Sequence, residues 1–277
     1  MKVAFCLFGL SGGFSERIEG RRRYSHKIGI MHESLQTYKK NILEFNKNAE
    51  FDNYLHTREH KDIPRILRRY NPKRYIIDKR LELKGKKYQK YDISNCSVNE
   101  SISKVLGLID RSIKYDLIFL IRFDLTFCKP FDLSKINLKD NEILFPPNSH
   151  HYWPNGKDVI THIEWLVGKK CEEDKTFSNN LNKNEVVKKN KDPSEFLLDW
   201  WFIFKPTSLD TMIEMTKTLL EKNLNRYNNK YTKFKELSCT PHSFFYNFLK
   251  IKNYNIVIHD RDIYDFFLTR QFKHKTT

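Results

Sequence analysis

Arg122 and Asp124 lie two residues apart, directly after the strongly apolar run of residues 117–121. Charged groups at the end of a buried strand cost free energy unless they bind a ligand or pair with each other. Alternate residues of an extended strand share a face, so both side chains should point the same way. Asp124 could bind a hard divalent cation, and Arg122 could contact phosphate oxygens or hold Asp124 in position. The alternative is a structural salt bridge that closes the strand.

Asp199 is a second candidate for chemistry, because it opens the aromatic segment Trp200-Trp201-Phe202. Carbohydrate rings stack on tryptophan, and a carboxylate beside such rings could take the proton of an acceptor hydroxyl as a general base. The alternative is a helix cap or an aspartate at the edge of the core, among ordinary core aromatics.

The elements that must position these side chains follow from the apolar pattern. Continuous apolar runs, unlike alternating ones, predict strands covered on both faces, as in parallel sheets. Strands are predicted at residues 2–10, 51–56, 75–77, 117–121, 142–145 and 254–258. Helices are predicted at residues 28–46, 63–70, 98–113, 209–224 and 242–249. Their alternation predicts an α/β fold in three layers with a mostly parallel central sheet.

Three segments should meet at one edge of this sheet, because ligands of such folds bind outside the carboxyl ends of the strands. These segments are residues 9–13, 56–58 and 122–124. Gly9 would let the backbone approach a nucleotide closely, although the glycines are too few for a dinucleotide-binding pattern. His56 and Arg58 join Gly9, Arg122 and Asp124 as candidates for contacts with a nucleotide.

The segment from Tyr115 to Phe127 resembles the "YD-apolar-R-x-D-x-x-F" segment of small viral and bacterial glycosyltransferases with a GT-A fold. In that family the segment stands where others carry Asp-x-Asp. Residues 2–9, 51–57, 70–77 and 198–204 resemble further segments of the same enzymes in the same order. The resemblance extends from residue 2 to about residue 270. It implies a nucleotide-diphosphate sugar as donor, Mn²⁺ or Mg²⁺ as cofactor, and a hydroxyl of a glycan or other molecule as acceptor.

The resemblance also assigns expected roles to particular residues. Asp124 is expected to bind the metal ion and act in catalysis, and Asp199 to act as general base. His259 is expected to complete the metal site, with an ordinary surface histidine as the alternative. Arg122 stands at the first acidic position of Asp-x-Asp, which leaves the metal requirement open. The arginine that often follows the first strand directly is missing, and Arg17 or one of Arg21 to Arg23 could replace it; Arg21 is the candidate for donor binding.

Charge favours anionic partners, since 50 Lys and Arg residues against 34 Asp and Glu give a net charge of +16. A phosphorylated small molecule, nucleic acid and an anionic membrane surface all fit this excess, and so does ordinary solvated surface. The main alternative function is therefore a basic nucleic-acid-binding or nucleolytic protein. We expect no specific nucleic acid, because no such motif is recognisable. A methyltransferase is a third possibility, but no acidic residue closes the second strand in the usual way.

The 277 residues suit a single domain. We expect residues 1–150 to form a nucleotide-sugar-binding half and residues 151–277 an acceptor-binding half, with a flexible loop at 168–193. Five cysteines without a C-x-x-C pair suit reduced thiols. The first apolar run resembles a buried strand more than a signal peptide, and no run approaches the roughly 20 apolar residues of a membrane span. A cytoplasmic, soluble protein is the resulting expectation.

Overall fold

The structure is a computed structural model of the chain. It describes residues 1–9, 14–18, 21–25, 29–59, 63–79, 81, 90–146, 197, 199–225, 237, 241–259 and 266–268. The loop predicted at 168–193 lies outside the described residues.

The described strands alternate with helices through most of the chain. The strands are β1 (Lys2–Phe8), β2 (Phe14–Ile18), β3 (Arg21–Ser25), β4 (Glu50–Arg58), β5 (Arg74–Asp78), β6 (Leu117–Arg122), β7 (Leu125–Phe127), β8 (Glu142–Phe145), β9 (Trp201–Phe204), β10 (Asn255–Ile258) and β11 (Phe266–Leu268). The α-helices are α1 (Gly29–Tyr38), α2 (Ile63–Tyr70), α3 (Lys90–Gly107), α4 (Leu209–Leu224) and α5 (Pro241–Ile251).

Seven strands form one mixed sheet in the order β10-β8-β9-β6-β1-β4-β5. Strands β1, β4, β5 and β6 run parallel, β9 runs antiparallel to both β6 and β8, and β10 runs parallel to β8. The predicted α/β class with a mostly parallel sheet is confirmed. Strands from both halves of the chain belong to this sheet, since β8 precedes residue 151 and β9 follows it.

The two most apolar strands lie side by side in the sheet interior, as their unbroken apolarity predicts. Val3 pairs with Leu117 and Phe8 with Arg122, while β4 and β9 cover the outer edges of this pair. Residues Val3 to Phe8 and all of β6 are buried. Helices on both faces account for this burial, because a strand covered on both sides has no solvent-facing positions.

Two apolar layers enclose the sheet. On one face, Tyr38 of α1 and Ile66 of α2 belong to the same buried apolar cluster as Phe119 of β6. On the other face, α3, α4 and α5 contribute Ile102, Met212 and other core residues. This arrangement is compatible with three layers. Among the described residues, no helix is both long and apolar enough to cross a membrane.

Two predicted helices have different bounds. The helix predicted at 28–46 is α-helical to Tyr38 and then forms a π-helical turn over Lys39–Leu43. That turn adds a residue to the helical repeat, so Phe45 falls off the buried face and is 46% exposed. The helix predicted at 98–113 spans Lys90–Gly107. The β2–β3 hairpin was not predicted, because its polar sequence shows no apolar alternation.

Candidate functional site

The candidate site lies where the chain changes direction across the sheet. From β1 the chain continues to β4 on one side, and it later returns to β6 on the other side of β1. At such a point the connections diverge, which leaves a crevice outside the carboxyl ends of the two central strands. Phe8 pairs with both His56 and Arg122. Gly9, His56 and the Arg122–Asp124 segment therefore share this edge, as the sequence predicts.

An ion cluster of one arginine and two aspartates occupies this edge. Arg122 donates from Nε to Oδ1 of Asp124 at 2.9 Å and from Nη2 to Oδ2 at 3.2 Å. Its Nη1 lies 3.4 Å from Oδ2 of Asp199. The fork to Asp124 is bidentate, a geometry that fixes the guanidinium plane as well as its position. Asp199, a separate candidate in the sequence, thus belongs to the same cluster as Asp124.

All three members of the cluster are buried. Arg122, Asp124 and Asp199 are 9%, 8% and 9% exposed. Burial opposes the charged guanidinium, but the two carboxylates outweigh burial and raise the pKa of Arg122 above its usual value. Arg122 is therefore a permanent cation. With both carboxylates ionised, the cluster carries a net charge of −1.

The backbone around the cluster is held by long-range hydrogen bonds. The Arg122 N–H donates to the Trp200 carbonyl at 3.1 Å, and the Phe123 N–H donates to the Phe8 carbonyl at 3.1 Å. The hydroxyl of Tyr38 donates to the carbonyl of Arg122. These contacts tie β1, α1 and the approach to β9 to one short segment. The guanidinium is thus positioned before any ligand binds, which is the condition for electrostatic preorganisation.

Gly9 turns the chain away from the sheet at the end of β1. Its φ is +100°, a backbone conformation that glycine adopts without the cost borne by other residues. Its N–H donates to Oγ of Ser101 on α3 at 2.9 Å. The hydroxyl of Ser101 in turn lies 2.6 Å from Nδ1 of His56. The position of Gly9 therefore depends on two buried polar side chains.

The proton positions of His56 follow from its partners. Nε2 lies 2.8 Å from Oδ2 of Asp78, and a carboxylate only accepts, so Nε2 carries the proton. Burial lowers the pKa of His56 below its usual value, although Asp78 opposes that effect. The imidazole is therefore neutral at pH 7, Nδ1 is an acceptor, and Ser101 donates its hydroxyl proton to it. Through these contacts His56 orients the hydroxyl of Ser101, which in turn holds the backbone of Gly9.

Arg58 lies in a second charged network beside His56. Its Nη2 is 2.5 Å from Oε2 of Glu100, and its Nη1 donates to the Lys79 carbonyl at 3.1 Å. Lys104 completes the network with contacts of 2.6 Å to Asp78 and 2.7 Å to Glu100. Arg58 lies at the predicted edge of the sheet with partners inside the protein. Donor binding by His56 and Arg58 stays a prediction.

His259 directly follows β10, which runs in the same direction as β6 and ends at the same edge of the sheet. The ring of His259 lies 5.1 Å from that of Phe131 and 5.8 Å from that of Trp201, and His259 lines a surface cavity of about 400 Å³. Arg21 opens β3 and pairs with Ile18 in the hairpin that follows β1. The contribution of Arg21 to donor binding stays a prediction.

The carboxylates of Asp124 and Asp199 are engaged by the guanidinium of Arg122. Both oxygens of Asp124 and one oxygen of Asp199 face N–H donors of Arg122. Mg²⁺ and similar hard cations need several oxygen ligands directed at one point. In the part of the chain that the structure describes, no group of three or more His, Cys, Asp or Glu side chains is arranged to hold a metal ion. The predicted metal site of Asp124 and His259 is untested.

No protein-family model matches the chain, and no curated protein has a similar sequence.

Several residues that shape the site have no sequence signal. Tyr38 and Ser101 read as ordinary helix residues, and their hydrogen bonds to Arg122 and Gly9 span 84 and 92 residues. The pairing of Arg122 with Asp199 spans 77 residues. The charges themselves were visible in the sequence, but their partners depend on the order of the strands.

Proposed function

We propose that the chain is a glycosyltransferase that moves a sugar from a nucleotide-diphosphate sugar to a hydroxyl of a glycan or other acceptor. The observation that carries the proposal is the buried Asp124–Arg122–Asp199 cluster at the crevice of the sheet. Ligands of α/β sheets bind at this place, and perturbed, buried charged groups in such a crevice are candidates for ligand contacts. The mixed sheet is compatible with the GT-A fold implied by the sequence resemblance.

The chemistry needs stabilisation of a departing diphosphate. As the bond between the anomeric carbon and the phosphate oxygen breaks, its electron pair moves to the diphosphate, which becomes more negative. Arg122 is a cation already held in place, and such a group stabilises developing charge without reorganising. In a guanidinium the donors are arranged in a fork that matches phosphate oxygens. Arg122 is therefore the proposed contact of the leaving group.

The acceptor must lose a proton while the new glycosidic bond forms. Asp199 is the proposed general base, because one of its oxygens faces Arg122 and the other lies outside this ion pair. A carboxylate held in this way can take the hydroxyl proton if the acceptor oxygen comes within hydrogen-bond reach. Asp124 holds the guanidinium through two hydrogen bonds. None of these steps depends on the Mn²⁺ or Mg²⁺ ion predicted from the sequence.

The net positive charge of the chain supports a proposal about where the reaction takes place. The excess of positive charge suits a nucleotide sugar, and it also suits contact with an anionic membrane surface where a glycan acceptor is anchored. A cytoplasmic location stays part of the proposal.

A screen of nucleotide sugars tests the proposed function. A ligand that binds only the native state raises the melting temperature by mass action. We expect at least one of the UDP-, GDP-, CDP-, ADP- or dTDP-sugars to raise it and its parent nucleoside diphosphate to do the same. If none binds and the chain instead shows a salt-dependent, sequence-blind affinity for polynucleotide, the nucleic-acid alternative replaces the proposal.

A further inference from the structure

We infer that the guanidinium of Arg122, and not a divalent metal ion, is the cation that receives the diphosphate of the donor, so that donor binding is independent of metal. The inference rests on the proposed function and specifies how its site works. Three features of the cluster support this inference: the place of the guanidinium, the charge of the cluster, and the number of N–H groups that Arg122 can donate.

The place of the guanidinium is the first feature. Arg122 lies between the two carboxylates that would otherwise be the nearest metal ligands, at 2.9 and 3.2 Å from Asp124 and 3.4 Å from Asp199. A metal ion bound by the same oxygens would have to displace the guanidinium. That displacement would break the bidentate fork and leave a buried arginine without its counter-ions, which is strongly destabilising.

The charge of the cluster is the second feature. Two carboxylates and one guanidinium give a net charge of −1. Changing Arg122 to aspartate would make the cluster −3, and a divalent cation would return it to −1. The arginine therefore supplies the same charge that an acidic side chain and a divalent ion would supply together. Because Arg122 stays protonated at every physiological pH, this charge is always present.

The third feature is the number of N–H groups that Arg122 can donate. A guanidinium carries five N–H groups, and three of them donate to Asp124 and Asp199. Arg122 ends β6, with 11% of its side-chain surface exposed. A phosphate oxygen in the crevice can thus contact the remaining donors while the carboxylates keep their bonds. The remaining negative charge of the sugar donor requires further basic groups, and the chain has an excess of positive charge overall.

The first test uses the unaltered protein and a panel of nucleoside diphosphates, UDP, GDP, ADP, CDP and dTDP, measured by isothermal titration calorimetry. Titrations in EDTA and in excess MnCl₂ should give dissociation constants that agree within about two-fold for the nucleotide that binds. Binding that requires Mn²⁺ overturns the inference and leaves the proposed function standing. If no nucleoside diphosphate and no nucleotide sugar binds in either buffer, both fail.

The second test asks whether removing the guanidinium creates a need for metal. Arg122→Asp should melt at a lower temperature than the unaltered protein in EDTA, and Mn²⁺ should raise its melting temperature, because three carboxylates then face one another. Arg111→Asp is the matched control. It makes the same change in charge beside another aspartate, since Arg111 pairs with Asp210, but on the surface with 62% of its side chain exposed. We expect Mn²⁺ to change neither the control nor the unaltered protein.

A conservative variant covers the case in which Arg122→Asp does not fold. Arg122→Lys keeps the charge and loses the planar fork, so nucleoside diphosphate affinity should fall roughly ten-fold or more in EDTA, with no recovery in Mn²⁺. Recovery of affinity on addition of Mn²⁺ overturns the inference, as does a melting temperature of the unaltered protein that rises with Mn²⁺ alone.

Discussion

Nε of Arg122 donates to Oδ1 of Asp124 at 2.9 Å, and the same guanidinium reaches Oδ2 of Asp199 at 3.4 Å from its Nη1. Two aspartates from distant parts of the chain are thereby joined by one arginine at the carboxyl end of β6. The cluster stands where the strand order reverses around β1.

Asp124→Asn should lower sugar transfer by about 10²- to 10³-fold, as expected for loss of one preorganised electrostatic contact at a reacting centre. The amide keeps the size of the side chain but removes the charge that holds Arg122, so the fold should persist with a reduced melting temperature. Steady-state kinetics with the true donor and a thermal melt measure the two effects. Asp210→Asn is the control, because that carboxylate is 76% exposed. Near-normal turnover in Asp124→Asn would make Asp124 a structural ion-pair partner and move the site towards Asp199.

Asp199→Asn should lower kcat by at least about 10²-fold while changing the KM for the donor much less, because loss of a general base affects the chemical step. Steady-state kinetics with the true donor and acceptor provide both values. A rise in donor KM with kcat unchanged would instead assign Asp199 to donor binding.

Gly9→Ala should destabilise the protein by about 1–2 kcal/mol, the cost of a left-handed backbone for a residue with a Cβ. A Cβ at Gly9 has nothing within 4 Å, so this cost comes from φ of +100° and not from crowding. Gly107→Ala is the matched control, because its Cβ also meets nothing within 4 Å and its φ is not positive. Chemical denaturation of both variants measures the difference. Equal stability of the two would contradict the geometry described for Gly9.

Ser101→Ala should weaken binding of the nucleotide sugar, although Ser101 is not proposed to contact it. The substitution removes the hydroxyl that accepts from the Gly9 N–H and donates to Nδ1 of His56. The free energy of unfolding should also fall by about 1–3 kcal/mol, because Gly9 and His56 each lose one buried hydrogen bond. Ser101→Thr keeps the hydroxyl and should restore most of the donor affinity if the larger side chain fits. Unchanged affinity in Ser101→Ala would show that the position of Gly9 does not matter for the ligand.

Acidification should destabilise the protein through His56. Its pKa in the folded state lies below its unfolded value of 6.5, mainly because it is buried. Below pH 6.5 the unfolded chain therefore binds the proton more readily than the native protein, and stability falls as the pH falls. Burial raises the pKa of Asp78, but Lys104 and His56 lower it by more, so Asp78 stays ionised in this window.

Urea denaturation at pH 7.5 and 5.5 measures this effect. In His56→Asn the loss of stability between the two pH values should be smaller than in the unaltered protein, because that variant does not titrate at this position. The same loss in both proteins would assign the acid sensitivity to other groups.

Sequence could predict the central sheet because its signal is local. The runs that became β1 and β6 are apolar on both faces, and that property alone places them in the sheet interior. The meeting of Gly9, His56 and Arg122 followed from the rule that parallel strands end at one edge. The residue types of the cluster were therefore predictable from local sequence, together with their place at the end of a strand.

The pairing of Arg122 with Asp199 could not be predicted, because it depends on a non-local choice. Strand β9 inserts antiparallel between β6 and β8, and only this order brings Asp199 beside Arg122. The π-helical turn at Lys39–Leu43 also lacks a sequence signal: it changes the phase of the helix, and it buries Asn41 and Ile42. The polar β2–β3 hairpin carries no apolar signal that would have revealed it.

The central claim, that the Arg122 cluster handles a nucleotide-diphosphate sugar, is tested most directly by measuring donor consumption. The unaltered protein and Asp124→Asn are incubated with each nucleotide sugar and a mixture of glycan acceptors, and released nucleoside diphosphate is quantified by mass spectrometry. We predict that one nucleotide sugar is consumed by the unaltered protein, and at least about 10²-fold more slowly by Asp124→Asn. Consumption of no nucleotide sugar by the unaltered protein, or equal rates in both proteins, would contradict the account.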